Sequence, residues 1–250
     1  MMQSRHILGV RVDATTYRDA SRWVIAEARQ AHSRYVCCAC VSSIMAAHDS
    51  QTCRDVMNQA DLVTSDGMPL VWLLRRLGVG DATRVYGPDL TLTVLEAAAE
   101  AGVAVGFYGG SQTVLPELLR RVRARLPKIN IAYADSPPFR PLTPEEDQRT
   151  IRAICEAGVR ILFVGLGAPK QDGWMHAHRG HIPTVMLGVG AAFDFLAGAK
   201  PQAPHWMQRG GLEWLFRLAT EPRRLWRRYL SQNPRFAVLA LTQILRERFT

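Results

Sequence analysis

A chain of 250 residues with 48% hydrophobic and 21% charged side chains has a globular balance and enough material for one substantial core, which excludes a disordered or low-complexity chain. The formal charge of +9 is uneven: from position 201 to 250 nine Arg stand against Glu213, Glu221 and Glu247, so +6 lies in the last fifth and asks for an anionic partner. No apolar run nears the roughly 20 residues of a membrane span, the longest in that tail being Phe236 to Leu241.

At the start, Met1 to Arg5 leads into the short run His6 to Val10, broken by Arg11 and Asp13, with no charged-then-apolar export signal; a cytosolic protein is expected. From Tyr35 onward, short β-branched or apolar runs alternate with longer amphipathic stretches. Tyr35–Cys40, Leu62–Thr64, Val103–Tyr108, Ile129–Ala134, Arg160–Val164 and Thr184–Val189 read as strands. Strands separated by helical patterns predict an α/β fold: a Rossmann-like, mostly parallel sheet with helices on both faces. Five cysteines are odd in number, and three of them (Cys37, Cys38, Cys40) share one strand, so buried free thiols are expected rather than disulfides.

Ser65-Asp66-Gly67-Met68-Pro69 follows a strand, which puts Asp66 at a carboxyl end, where open α/β sheets bind ligands. A carboxylate there can act as general base or simply cap the next helix. Gly109-Gly110-Ser111 joins a strand to the helix that begins near Val114; the turn serves equally as an anion cradle or as a plain tight turn. Thr143-Pro-Glu-Glu146 reads as a capping box at a helix start. In Gly165-Leu-Gly167-Ala-Pro169-Lys170-Gln171-Asp172, a strand ends on two glycines and a helix opens with a cation and two groups able to read hydroxyls or a base edge; ordinary first-turn polars are the alternative. His176, His178 and His181 fall at this helix's far end, expected to be exposed. No metal-ligand spacing and no Asp-x-Asp pair is present, so neither a metal nor another cofactor is expected. After Gly198 strand signals stop, and Leu212–Ala219, Pro222–Leu230 and Pro234–Arg248 read as three arginine-bearing helices. The predicted organisation is an α/β body over 1–198 and a helical appendage over 199–250.

Six segments in order give the chain a wider likeness: Ala60-Asp-Leu-Val-Thr-Ser-Asp-Gly-Met-Pro-Leu-Val-Trp72, Arg84-Val-Tyr-Gly-Pro-Asp-Leu90, Gly106-Phe-Tyr-Gly-Gly110, Gly165 to Asp172, Gly188-Val-Gly-Ala-Ala-Phe-Asp-Phe195, and Gly211-Leu-Glu-Trp-Leu215 with Glu221-Pro222 and Arg228-Tyr229. The sequence resembles the WecG/TagA/CpsF family of bacterial glycosyltransferases along nearly its whole length. The resemblance implies an inverting, metal-independent transferase taking a sugar from a UDP-sugar (an N-acetylmannosamine-type, uronic acid or hexose donor) to a polyprenyl-diphosphate-linked sugar acceptor in cell-surface polysaccharide synthesis. It implies Asp66 as base and a donor site drawn from Arg84, Gly87, Asp89, Gly109, Gly110, Ser111, Gly165, Gly167, Pro169, Lys170, Gln171, Asp172 and Gly190. Arg217, Arg224 and Arg227 of the appendage would neutralise the leaving diphosphate. Three departures stand out: Cys38-Ala39-Cys40 replaces Thr-x-Asn, Asp172 replaces Glu, and Gln202 replaces Arg. The tail interleaves its arginines with Trp206, Trp214, Trp226 and Phe236, which suits an anionic membrane surface; peripheral docking on the inner face of the cytoplasmic membrane is expected, and no nucleic acid. Two readings compete: a basic nucleic-acid-binding protein, suggested by the arginine-rich tail, and a dinucleotide-dependent oxidoreductase, suggested by the parallel sheet and glycine turns. Against the oxidoreductase, no acidic residue about 20 positions after Gly109-Gly110 ends a following strand in the ribose-binding role; Asp135 comes later.

Overall fold

The structure, a computed structural model, describes residues 3–248. The chain opens with strands β1 (Ser4–Ile7) and β2 (Val10–Asp13), then α1 (Tyr17–Arg29), β3 (Arg34–Ala39), α2 (Val41–Asp49), α3 (Gln51–Asn58), β4 (Leu62–Ser65) and α4 (Met68–Arg76). It continues through α5 (Gly87–Ala101), β5 (Val105–Gly109), α6 (Val114–Arg125), β6 (Ile131–Asp135), α7 (Pro144–Glu156), β7 (Ile161–Gly165), α8 (Lys170–His178) and β8 (Val185–Gly188). Four helices follow: α9 (Ala192–Leu196), α10 (His205–Arg209), α11 (Glu213–Thr220) and α12 (Pro222–Arg248). Six strands form a parallel sheet in the order β4-β3-β8-β7-β5-β6, flanked by helices, so the α/β Rossmann-like class expected from the alternation is the observed one. All six predicted strands exist within two residues of their expected ends.

Residues 1–16, 38–86 and 202–250 make one compact unit. Its β1-β2 pair is an antiparallel hairpin that the run His6 to Val10 did not reveal. Leu8 and Gly9 both take positive φ, 49° and 87°, the turn geometry that matches strand twist, and so split that run. Asp13 at the end of β2 is buried and accepts from the Val63 amide at 2.8 Å; burial pushes its carboxyl pKa up despite that bond and the nearby Arg11. The chain's last helix packs on α2 and α11. Arg235 forks onto Asp49 at 2.6 and 2.7 Å, and Gln243 donates to the His6 carbonyl at 2.6 Å.

The expected break at Glu221-Pro222 is present, since Glu221 leaves helical geometry with ψ of 55°. The expected break at Asn233-Pro234 is not: α12 runs unbroken through Pro234. A proline removes one donor and crowds one carbonyl four residues back, a penalty of about 3 kcal/mol that a helix packed on α2 and α11 can absorb.

Residues 17–37 and 87–201 form the second unit. Strands β7 and β8 are buried along nearly their whole length, and β5 throughout, as suits a parallel sheet covered on both faces. Phe107 stacks on Phe163 with centroids 5.4 Å apart, and Phe193 meets Phe107 edge-on at 5.6 Å. The capping box is formed: Thr143 accepts from the Glu146 amide and Glu146 from the Thr143 amide. His178 corrects the expectation of an exposed histidine cluster. It is buried, stacks on Trp174 at 4.0 Å, and bonds the Trp174 carbonyl and Asp147. The cysteines are free, as expected, but only Cys37 is fully buried, and Cys155 is exposed at the end of α7.

Candidate active site

In the first unit, β4 is wholly buried, and its end is buttressed by hydrogen bonds from the Ser65 hydroxyl to Thr83 and from the Val85 amide to Ser65. This fixes Asp66, whose own amide donates to Ala39 at 2.9 Å. Gly67, not Asp66, is the N-cap of α4, which places Asp66 one residue before the helix. Arg84 stands beside it, with Nη2 3.9 Å from Oδ1. Arg84 donates through Nε to the Asp66 carbonyl, through Nη1 to Gln208 at 3.2 Å, and through Nη2 to Glu213, and it lies over the Tyr86 ring at 4.1 Å. Burial works against its charge, yet Asp66 and Glu213 outweigh it and leave the guanidinium pKa raised.

Asp66 opens onto a cavity of about 450 Å³. Its polar wall carries two carboxylates, Asp66 and Glu213, and four arginines, Arg76, Arg84, Arg217 and Arg228, an excess of positive charge in a partly desolvated place. Burial opposes the charge on Arg217, but Tyr229 and Glu213 keep its pKa raised. Nε of Arg228 is buried with no hydrogen-bond partner among the described residues. Cys40 also lines the cavity, its Sγ 3.1 Å from the Ser42 hydroxyl.

In the second unit the glycine turns converge. The Gly110 amide donates to the Gly165 carbonyl at 3.1 Å, and a Cβ on Gly109 would lie 2.6 Å from the Gly165 backbone. A Cβ on Gly165 would lie 2.7 Å from the Phe193 ring, so packing alone requires these glycines. Gly167 differs: it takes φ of 79° and has open space where a Cβ would be. Gln171 is buried, and its Oε1 accepts from the amides of both Gly167 and Gly190 at 3.0 Å. It holds the two turns rather than presenting itself to solvent. Asp172 beside it is also buried, bonded to Cys37 and Gln171, and burial lifts its pKa to about 6. Pro169 and Lys170 are exposed at the start of α8.

The model of the glycosyl transferase WecG/TagA/CpsF family matches residues 5–250. The chain belongs to that family. It is 35% identical over 179 residues to a protein of Bacillus spizizenii named N-acetylglucosaminyldiphosphoundecaprenol N-acetyl-beta-D-mannosaminyltransferase. That match takes in 70% of this chain and 66% of the relative, just under two thirds of the relative's length.

Within this family member, the residues expected at the donor fall into two groups. Gly109, Gly110, Gly165, Gly167, Gln171 and Gly190 come together in the second unit, with Ser111 accepting from the Val114 amide at the start of α6. Gly87 and Asp89 sit in the first turn of α5, Asp89 accepting from the Tyr17 hydroxyl at 3.3 Å. Arg84 instead belongs with Asp66. Of the three appendage arginines, only Arg217 lines the cavity; Arg224 pairs with Glu221 at 3.1 Å and Arg227 sits over Trp226. The sequence reading passed over Arg228 and Glu213 as site residues, although both stand inside the motifs quoted for the family. Asp135, set aside in the sequence as coming later than the ribose-binding distance, has a definite place in the fold. That residue closes β6, paired with Tyr108 of the neighbouring β5, and lines a second cleft. An acid therefore does end the strand after the Gly109-Gly110 turn, but 25 residues beyond Gly110, later than the roughly 20 of a dinucleotide site.

Proposed function

We infer that this chain is a glycosyltransferase that moves a sugar from a UDP-sugar to the sugar of a polyprenyl-diphosphate-linked acceptor, with inversion and without a divalent metal. The observation that carries this reading is Asp66, just past the end of β4, beside Arg84 in a cavity rich in arginine. The family and the relative's name supply the reaction class. Asp66 accepts the proton of the acceptor hydroxyl, its oxygen bonds to the anomeric carbon, and the bond from that carbon to the diphosphate breaks. Arg217 meets the charge that develops on the leaving UDP, the task a metal ion performs elsewhere. Arg84 acts through Asp66 as a positioning residue. Its guanidinium is already shared among Asp66, Gln208 and Glu213. Within the second unit taken by itself, Lys170 beside the open Gly167 turn offers a cation and approachable backbone suited to an anion.

No helix among the described residues is long and apolar enough to cross a membrane. Trp206, Trp226, Leu230 and Leu241 are nonetheless exposed on the C-terminal helices among arginines, a pattern suited to peripheral docking on an anionic membrane face. The test is a panel of UDP-sugars offered with polyprenyl-diphosphate-linked N-acetylglucosamine in excess EDTA. Transfer of one sugar with inverted anomeric configuration is expected. Failure to consume any UDP-sugar, or turnover restored only by Mg²⁺ or Mn²⁺, overturns the reading.

A further inference from the structure

The cavity beside Asp66 has a second character. Beyond its arginines it is walled by Trp72 and Leu73 of α4 and by Phe236, Ala237, Ala240 and Ile244 of α12. The α12 positions recur at intervals of one, three and four, a single helical stripe. Phe236 and Ala240 are buried on this inner side, whereas Val238, Leu241 and Leu245 of the same helix are 46–66% exposed on the outer side. An inner apolar lining is thus distinct from the outer face read as membrane-docking. From Arg228 to Ile244 the stripe is ~24 Å long at the helical rise of about 1.5 Å per residue. Its charged end holds Arg228, whose buried Nε lacks a hydrogen-bond partner among the described residues. Alanines at two successive turns leave space that a larger residue would fill. The Trp72 indole cannot close over that space freely, because its edge lies against Gly211, where a Cβ would stand 2.5 Å away.

We propose that the apolar stretch between α4 and α12 is a groove for the first isoprene units of a polyprenyl diphosphate, with Arg228 at its mouth taking the diphosphate and Ala237 and Ala240 setting its width. The proposal rests on the reading of the acceptor given above. Charge complementarity selects the occupant: a cationic mouth opening onto a hydrocarbon-lined slot matches an anionic head with a hydrocarbon tail. A nucleotide or a free sugar would leave the slot unused. The groove makes the lipid a recognised part of the substrate rather than a passive anchor.

The experiment is calorimetric titration of the full chain with inorganic pyrophosphate and with farnesyl diphosphate below its micelle concentration. Farnesyl diphosphate should bind at least tenfold tighter than pyrophosphate. Ala240→Phe should remove most of that advantage and leave pyrophosphate affinity unchanged, while Arg228→Gln should weaken both. Should Ala240→Phe lose its cooperative melt, Ala237→Leu probes the same wall with a smaller change. Equal affinity for the two ligands, or a folded Ala240→Phe protein that keeps the full advantage, overturns the groove and leaves the transferase reading standing. Farnesyl binding that is sensitive to Ala240 but indifferent to Arg228 keeps the groove and overturns the placement of the diphosphate. Absence of binding by either ligand overturns both.

Discussion

Replacing Asp172 by Asn isolates the cost of a buried carboxylate. Asp172 is 5% exposed, and burial raises its pKa from 3.8 to about 6 against the opposing bonds from Cys37 and Gln171. The folded state therefore holds the proton more tightly than the unfolded chain does. Its stabilising effect is fully present below about pH 4 and is lost as pH rises through about 6. At 1.36 kcal/mol per unit, and with the unfolded group already partly ionised at pH 4, that shift corresponds to ~2 kcal/mol of stability given up between pH 4 and 7. Asn at this position does not titrate. The gap in unfolding free energy between Asp172→Asn and wild type should move by ~2 kcal/mol in favour of the variant over that range, whatever its value at pH 4. Taking the difference cancels the exposed carboxylates, such as Glu117 and Glu146, which titrate alike in both proteins. Urea melts at half-unit pH steps supply the measurement. A gap that stays flat from pH 4 to 7, or moves the other way, refutes the argument.

Two further predictions concern the glycine turns. Gln171→Leu leaves the Gly167 and Gly190 amides without their shared acceptor and should cost about 2–4 kcal/mol in urea melts, while Gln171→Glu, which keeps the acceptor but sets a second carboxylate beside buried Asp172, should recover only part of it, and less as pH rises. Gly165→Ala drives a methyl group into the Phe193 ring and should destabilise by about 1–3 kcal/mol; Phe193→Leu in the same chain should restore part of the loss if the clash is the cause.

The sheet was legible because its strands are short apolar runs, and five of the six, all but β3, end on or just before a glycine or an acid. The β1-β2 hairpin was not, because its four-residue strands are too short for alternation to show and its turn is Leu8-Gly9 rather than a familiar turn pair. Pro234 misled because proline's local penalty was weighed without the packing of α12. Asp66 and the glycine turns were visible from their places at strand ends. What each does locally was hidden, since only coordinates reveal that Gln171 spends its carbonyl on two backbone amides and that Arg84 sits with Asp66. Arg228 and Arg224 look alike in sequence; one faces the cavity and the other pairs with Glu221.

The role of Asp66 is tested most directly by turnover of Asp66→Asn at saturating UDP-sugar and lipid-linked acceptor, with donor affinity measured alongside. Asn keeps the shape and the backbone bonds to Ala39 and Arg84 but cannot take a proton. The account predicts a fall in kcat of roughly 10²–10⁴-fold with donor affinity nearly unchanged, the signature of a lost general base. A folded Asp66→Asn protein that turns over at the wild-type rate would contradict it.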